Sequence, residues 1–102
     1  MKRSLFKKGH RDANEQAIID LLNARNVRYI MLAPGDGADL VVQIHPMEFW
    51  EIKNPDQPMS KQAMTGAEYN QLDYCAATHI PYVVIKTVDD AADRLNKYFS
   101  RL

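Results

Sequence analysis

Cysteine is almost missing from this chain: Cys75 is the only one in 102 residues. That excludes an internal disulfide, argues against a cysteine-rich zinc site and fits a reducing compartment. The three histidines, His10, His45 and His79, are scattered and lack ligand spacing. No apolar run approaches the ~20 residues of a membrane-spanning helix. The N-terminus is basic, but no apolar stretch follows it, so a secretory signal is not expected. Gly35 and Gly37 belong to neither a Gly-x-Gly-x-x-Gly nor a Gly-Lys-Ser pattern, so no nucleotide cofactor is expected. Charge of one sign is not in excess either: 13 basic and 13 acidic residues give a formal net charge of zero. No internal repeat or low-complexity segment is present.

What is present is ordinary globular composition, 46% hydrophobic and 25% charged, at a length suited to one domain spanning 1–102. The cations are unevenly placed. Lys2, Arg3, Lys7, Lys8 and Arg11 all precede the first acidic residue, Asp12. Residues 1–11 lack periodicity and are expected to form a flexible arm. Such an arm is either a solubilising terminus or a set of phosphate contacts.

Periodicity then lays out the elements. Asp12 or Asn14 can cap a helix whose apolar positions Ala17, Ile18, Leu21 and Leu22 carry it to about Asn26. Glu15 in its first turn suits the helix dipole. Val27 to Ala33 reads as a strand, and 34–37 as a loop in which two glycines permit tight turns. Residues 38–44 and 48–53 read as two strands joined by a break containing Pro46. Gln62 to Thr78 reads as a helix with Ala67, Leu72, Cys75 and Ala76 as its core stripe. Tyr69 and Tyr74 are expected to pack rather than to stack on bases. Residues 81–88 read as a strand, buried on both faces if central. Asp89 is expected to cap a last helix containing Ala92, Leu95 and Phe99. The order α-β-β-β-α-β-α implies an α/β fold with a mixed central sheet flanked by helices.

The chemistry gathers on the paired strands. Residues two apart on a strand share a face, so Glu51 and Lys53 point the same way, roughly 6–7 Å apart. Trp50 and Ile52 point oppositely, into a core. Antiparallel pairing brings Asp39, at the start of the first strand, beside the end of the second. Two carboxylates suit Mg²⁺, and a neighbouring ammonium can orient water or neutralise charge developing on a phosphate. Taken alone, Glu51-Ile52-Lys53 is better explained by a solvated ion pair. The glycine-rich loop, then Asp39, then Glu51 and Lys53 on a separate strand make a more specific signal.

Gly37-Ala38-Asp39-Leu40-Val41-Val42 followed by Glu51-Ile52-Lys53-Asn54-Pro55 resembles the signature of the PD-(D/E)xK nucleases. It most resembles their small stand-alone VRR-NUC type domains of phages, relatives of archaeal Holliday-junction resolvases. The resemblance runs from about Arg11 through Leu95. Ala38 departs from it, standing where the family often has proline, a position that supplies no ligand. The resemblance implies a restriction-endonuclease-like core and metal ligands at Asp39 and Glu51, with the Ile52 backbone carbonyl as a further ligand. It implies a catalytic lysine at Lys53 and Mg²⁺ or Mn²⁺ as cofactor. It also implies an acidic residue near the metal from the first helix, for which Glu15 is the candidate. The family's glutamine on the helix after the Glu-x-Lys strand maps onto Gln71, with Glu68 the second choice; the alternative for both is an exposed helical face.

The expected function is thus metal-dependent endonucleolytic hydrolysis of DNA, selective for branched or junction structure. Asp39, Glu51, Lys53 and Gln71 form the catalytic set, and Lys2, Arg3, Lys7, Lys8 and Arg11 the DNA-binding arm. The expected setting is the cytoplasm of a bacterial, archaeal or phage-infected cell. A homodimer would match a two-fold junction, with Phe99 and Leu102, or the Tyr69–Tyr74 side, as interface. Two other readings use the same residues: a catalytically silent nuclease-fold binding module, or the nuclease subunit of a larger phage or host complex.

Overall fold

The structure is a computed structural model that describes residues 13–44, 46–58 and 63–99. The basic residues Lys2, Arg3, Lys7, Lys8 and Arg11, the cap candidate Asp12, and Gln62 and Leu102 lie outside the described residues. Helix α1 spans Ala13–Ala24, followed by strands β1 (Tyr29–Met31), β2 (Leu40–Val42) and β3 (Glu48–Ile52). Helix α2 (Gly66–Thr78), strand β4 (Tyr82–Ile85) and helix α3 (Val88–Phe99) follow among the described residues. The described residues form an α/β domain with one four-stranded mixed sheet and three helices. The sheet order is β1-β2-β3-β4. The first two pairings are antiparallel and β3 pairs parallel with β4. Among the described residues no helix is long and apolar enough to cross a membrane.

Alternation along β2 and β3 sorts the side chains. Leu40, Val42, Trp50 and Ile52 fall on one face and join Ile18, Ile19 and Leu22 of α1 and Ala91 and Leu95 of α3 in the core. Trp50 is fully buried. The opposite face carries Asp39, Val41, Phe49, Glu51 and Lys53, and α2 approaches it. Glu48 lies on the core face yet is buried. Arg94 of α3 reaches it with two parallel bonds, Nε to Oε1 at 2.9 Å and Nη2 to Oε2 at 2.6 Å. The Trp50 indole N–H also donates to Glu48 Oε1, at 3.0 Å. A paired, fully hydrogen-bonded charge is what burial of a carboxylate requires.

Several local expectations need correction. Strand β4 is an edge strand, so Val84 is exposed instead of covered on both sides. Asp89 does not cap α3. Thr87 Oγ1 accepts from the Asp90 N–H at 3.0 Å, while Asp90 Oδ2 accepts from the Lys86 and Thr87 N–H groups. This reciprocal arrangement is a capping box. Asn14 is not a cap but lies inside α1, and its amide donates to the Lys53 carbonyl at 3.1 Å and to the Lys86 carbonyl at 3.2 Å. It thereby ties α1 to the ends of β3 and β4. Tyr69 and Tyr74 do not pack: they are 54% and 61% exposed. Helix α1 stops at Ala24, because Asn26 takes a left-handed conformation (φ 56°). Asn tolerates that conformation better than most residues.

Candidate functional site

Strand register builds the site. Leu40 pairs with Trp50, and the Asp39 N–H also donates to the Trp50 carbonyl, at 2.9 Å. Two successive residues of the entering strand therefore oppose one of β3, the pattern of a β-bulge. The carboxylate of Asp39 takes the next rung, its Oδ2 accepting from the Ile52 N–H at 2.7 Å. A strand residue's N–H and C=O point to the same edge, so the Ile52 carbonyl is also directed toward the Asp39 side.

Asp39 and Glu51 line one cavity of about 350 Å³, between the loop at 32–38 and the start of α2. Leu32, Ala33 and Pro34 form one wall, and Thr65, Ala67 and Glu68 another. Glu51 and Lys53 are 4% and 8% exposed, so this is not a solvated ion pair. Lys53 Nζ stands 3.3 Å from Glu51 Oε2 and 2.9 Å from Glu68 Oε1, and donates to the Ala63 carbonyl at 3.3 Å.

Two carboxylates, Glu51 and Glu68, thus flank one ammonium, and Asp39 lies beside Glu51 at the same cavity. Burial, then the charge of Asp39, then Glu68 push the Glu51 carboxyl from 4.5 up to about 8, and Lys53 offsets only part of this. Burial works against the charged Lys53, but bonds to Glu68 and Glu51 outweigh it and hold the ammonium above its ordinary value. Burial would raise Glu68, yet the Thr65 N–H and Lys53 bring it below the ordinary carboxylate value. The Tyr82 hydroxyl is pushed up, by burial first and then by Glu51, Glu68 and Asp39.

A centre with surplus negative charge and a carboxyl pushed this high gains from added positive charge, as a proton or as a cation. Among the described residues no three His, Cys, Asp or Glu side chains already stand in metal-ligand geometry. The donor set that Asp39, Glu51 and the Ile52 carbonyl can offer is all oxygen. It fits a hard cation that keeps several waters, as Mg²⁺ does, better than one needing a closed protein cage.

The remaining candidates are distributed differently. Glu15 is buried in the first turn of α1 and is not among the cavity-lining residues. Gln71 sits over the loop, not over Lys53: its amide nitrogen lies 3.4 Å from Cys75 Sγ, and a Cβ on Gly37 would come within 2.6 Å of its own Cβ. Glu68 is the α2 residue that touches Lys53. The local signal for it is Thr65-Gly66-Ala67-Glu68, the Ser/Thr-x-x-Glu pattern of a capping box. Glu68 accepts from the Thr65 N–H at 3.0 Å, and its own N–H donates to Thr65 Oγ1 at 3.2 Å. This fixes where α2 begins and which of its residues faces β3. Tyr82 completes the site by donating its hydroxyl to the Gly37 carbonyl at 2.6 Å.

Comparison of the chain with protein-family models, curated proteins and solved structures gives no match in any of the three.

Proposed function

We propose that this chain is a metal-dependent DNA endonuclease with a restriction-endonuclease-like core, of the PD-(D/E)xK kind that its sequence resembles. The observation that carries the proposal is the convergence of Asp39 and Glu51 on one cavity, with the Lys53 ammonium 3.3 Å from Glu51. Asp39, Glu51 and the Ile52 carbonyl are the groups that would hold Mg²⁺ or Mn²⁺. When bound, that ion would supply Lewis-acid polarisation of a phosphodiester and help ionise water. Lys53 presents a fixed positive charge beside Glu51 and Glu68, two of the residues lining the cavity, where it would orient the attacking water and stabilise negative charge developing on phosphate oxygens. Asp39 is held by the Ile52 N–H and needs no reorganisation to act. Gln71 packs against Gly37, one of the cavity-lining residues. The basic residues Lys2, Arg3, Lys7, Lys8 and Arg11 supply phosphate contacts, and a homodimer would serve a two-fold branched substrate.

The test is incubation with junction, flap, linear duplex and single-stranded DNA, each with Mg²⁺ and with EDTA. Cleavage of a branched or duplex substrate only with Mg²⁺ is the expected outcome. No cleavage of any substrate with Mg²⁺ or Mn²⁺ would leave a nuclease-fold binding module.

A further inference from the structure

We propose that Glu68 is the positioning residue for Lys53, so that the cap of α2 and the lysine of the site form one mechanical unit. The inference rests on the nuclease reading and names a residue for it that the Glu-x-Lys motif does not contain. A lysine side chain has four rotatable bonds, and fixing its ammonium costs rotamer entropy. Something must hold it beside Glu51. Of its three close partners among the described residues, Glu51 is two residues away on the same strand and is needed at the cavity, where it is shared with any cation that binds. The other two, Glu68 Oε1 at 2.9 Å and the Ala63 carbonyl at 3.3 Å, come from α2 and the segment leading into it.

Glu68 is itself prevented from wandering. The oxygen that receives Lys53 also accepts from the Thr65 N–H at 3.0 Å. The reciprocal bond from the Glu68 N–H to Thr65 Oγ1 closes the box. The rotamer of Glu68 is therefore set by the helix start independently of its bond to the lysine. The side chains of Lys53 and Glu68 are only 9% and 14% exposed, so the pair works where water screens it little. Glu68 does not need to touch substrate for this role. It acts through Lys53.

The prediction separates positioning from metal ligation and from mere folding. Glu68→Gln keeps an oxygen for Lys53 and for the cap and loses the charge; Glu68→Ala loses both. Cleavage of the preferred DNA should fall about 10²-fold in Glu68→Ala, the scale of a misplaced group, and by less in Glu68→Gln. Calorimetric Mg²⁺ affinity should weaken by well under tenfold, from the loss of a nearby charge alone, because Glu68 is not a ligand. Nitrogen-15 lysine spectroscopy supplies a readout independent of activity. The Lys53 ammonium should give a slowly exchanging signal in wild type that broadens or vanishes in Glu68→Ala. Should Glu68→Ala fail to fold, the same three measurements on Glu68→Gln decide.

An Mg²⁺ affinity at least tenfold weaker would make Glu68 a ligand and overturn the proposal. Unchanged cleavage together with an unchanged Lys53 signal would also overturn it. A wild-type protein that cuts nothing defeats the nuclease reading instead, and the Lys53 signal then judges the Glu68 contact by itself.

Discussion

Gly37→Ala puts the contact between the loop and α2 under direct load. Gly37 has φ +87°, in the half of conformational space where an L side chain is strained. An added Cβ would also stand 2.6 Å from the Ala67 carbonyl oxygen and 2.6 Å from Gln71 Cβ. The first of these is helix backbone, which cannot rotate aside. The left-handed conformation costs roughly 1–2 kcal/mol for a non-glycine residue. Overpacking adds about 1–3 kcal/mol, for a total of roughly 2–5 kcal/mol. Gly35→Ala is the matched control: its φ is +90°, but nothing lies within 4 Å of the added Cβ, so only the conformational cost of roughly 1–2 kcal/mol applies. Urea unfolding followed by the fluorescence of the single buried tryptophan, Trp50, measures both. The difference between the variants reports the contact itself. Because Gly37 precedes Asp39 by two residues and its carbonyl receives Tyr82, DNA cleavage should fall further than the unfolded fraction explains. Equal destabilisation of the two variants would refute the close approach of α2 to this loop.

Other perturbations test the surrounding interactions. Arg94→Ala strands a buried Glu48 and should cost on the order of 2–4 kcal/mol in urea unfolding, with Arg94→Lys recovering only part because it cannot make the two parallel bonds. Thr65→Ala removes one half of the α2 capping box and should cost about 1 kcal/mol. Glu51→Gln tests linkage in metal-free protein. The folded carboxyl keeps its proton up to about pH 8, against an ordinary value of 4.5, so its contribution is fully present below about pH 4.5 and is lost as pH rises through about 8. Comparing unfolding in EDTA at pH 5 and pH 9, wild type should lose up to a few kcal/mol more than Glu51→Gln, at about 1.4 kcal/mol per pH unit between the two values. A parallel fall in both proteins would mean that Glu51 is not pushed up.

The parts legible in the sequence were those set by local pattern. Two apolar runs separated by Pro46 announce adjacent strands, and a short connection between neighbours makes them antiparallel. Asp39 beside Glu51 follows from that pairing alone. What could not be read depends on packing between distant elements. The tripeptide Glu51-Ile52-Lys53 does not say whether its polar face meets water or a helix, and α2 decides that. Which α2 residue meets Lys53 turns on where the helix starts. Gln71 and Glu68 are three residues apart and share a side, and the cap at Thr65, with Gly37 against Ala67 and Gln71, selects Glu68. The apolar run Tyr82-Val83-Val84-Ile85 looks central by composition, but its place at the sheet edge is a matter of strand order. Glu48 reads as an ordinary polar strand residue because its partner, Arg94, lies 46 residues away.

The central claim is that Asp39 holds a cation while Lys53 acts on the reaction. Mg²⁺ titration by calorimetry, run beside a nicking assay on wild type, Asp39→Asn and Lys53→Ala, separates the two roles. Asp39→Asn removes a ligand charge, so affinity and cleavage should fall together. Lys53→Ala removes a cation from a crowded anionic site, so Mg²⁺ should bind as well or better, while cleavage drops by at least ~10²–10³, the typical loss for one charge-stabilising donor. Near wild-type cleavage by Lys53→Ala would reduce Lys53 to a buried partner of Glu51 and Glu68 and would contradict the account.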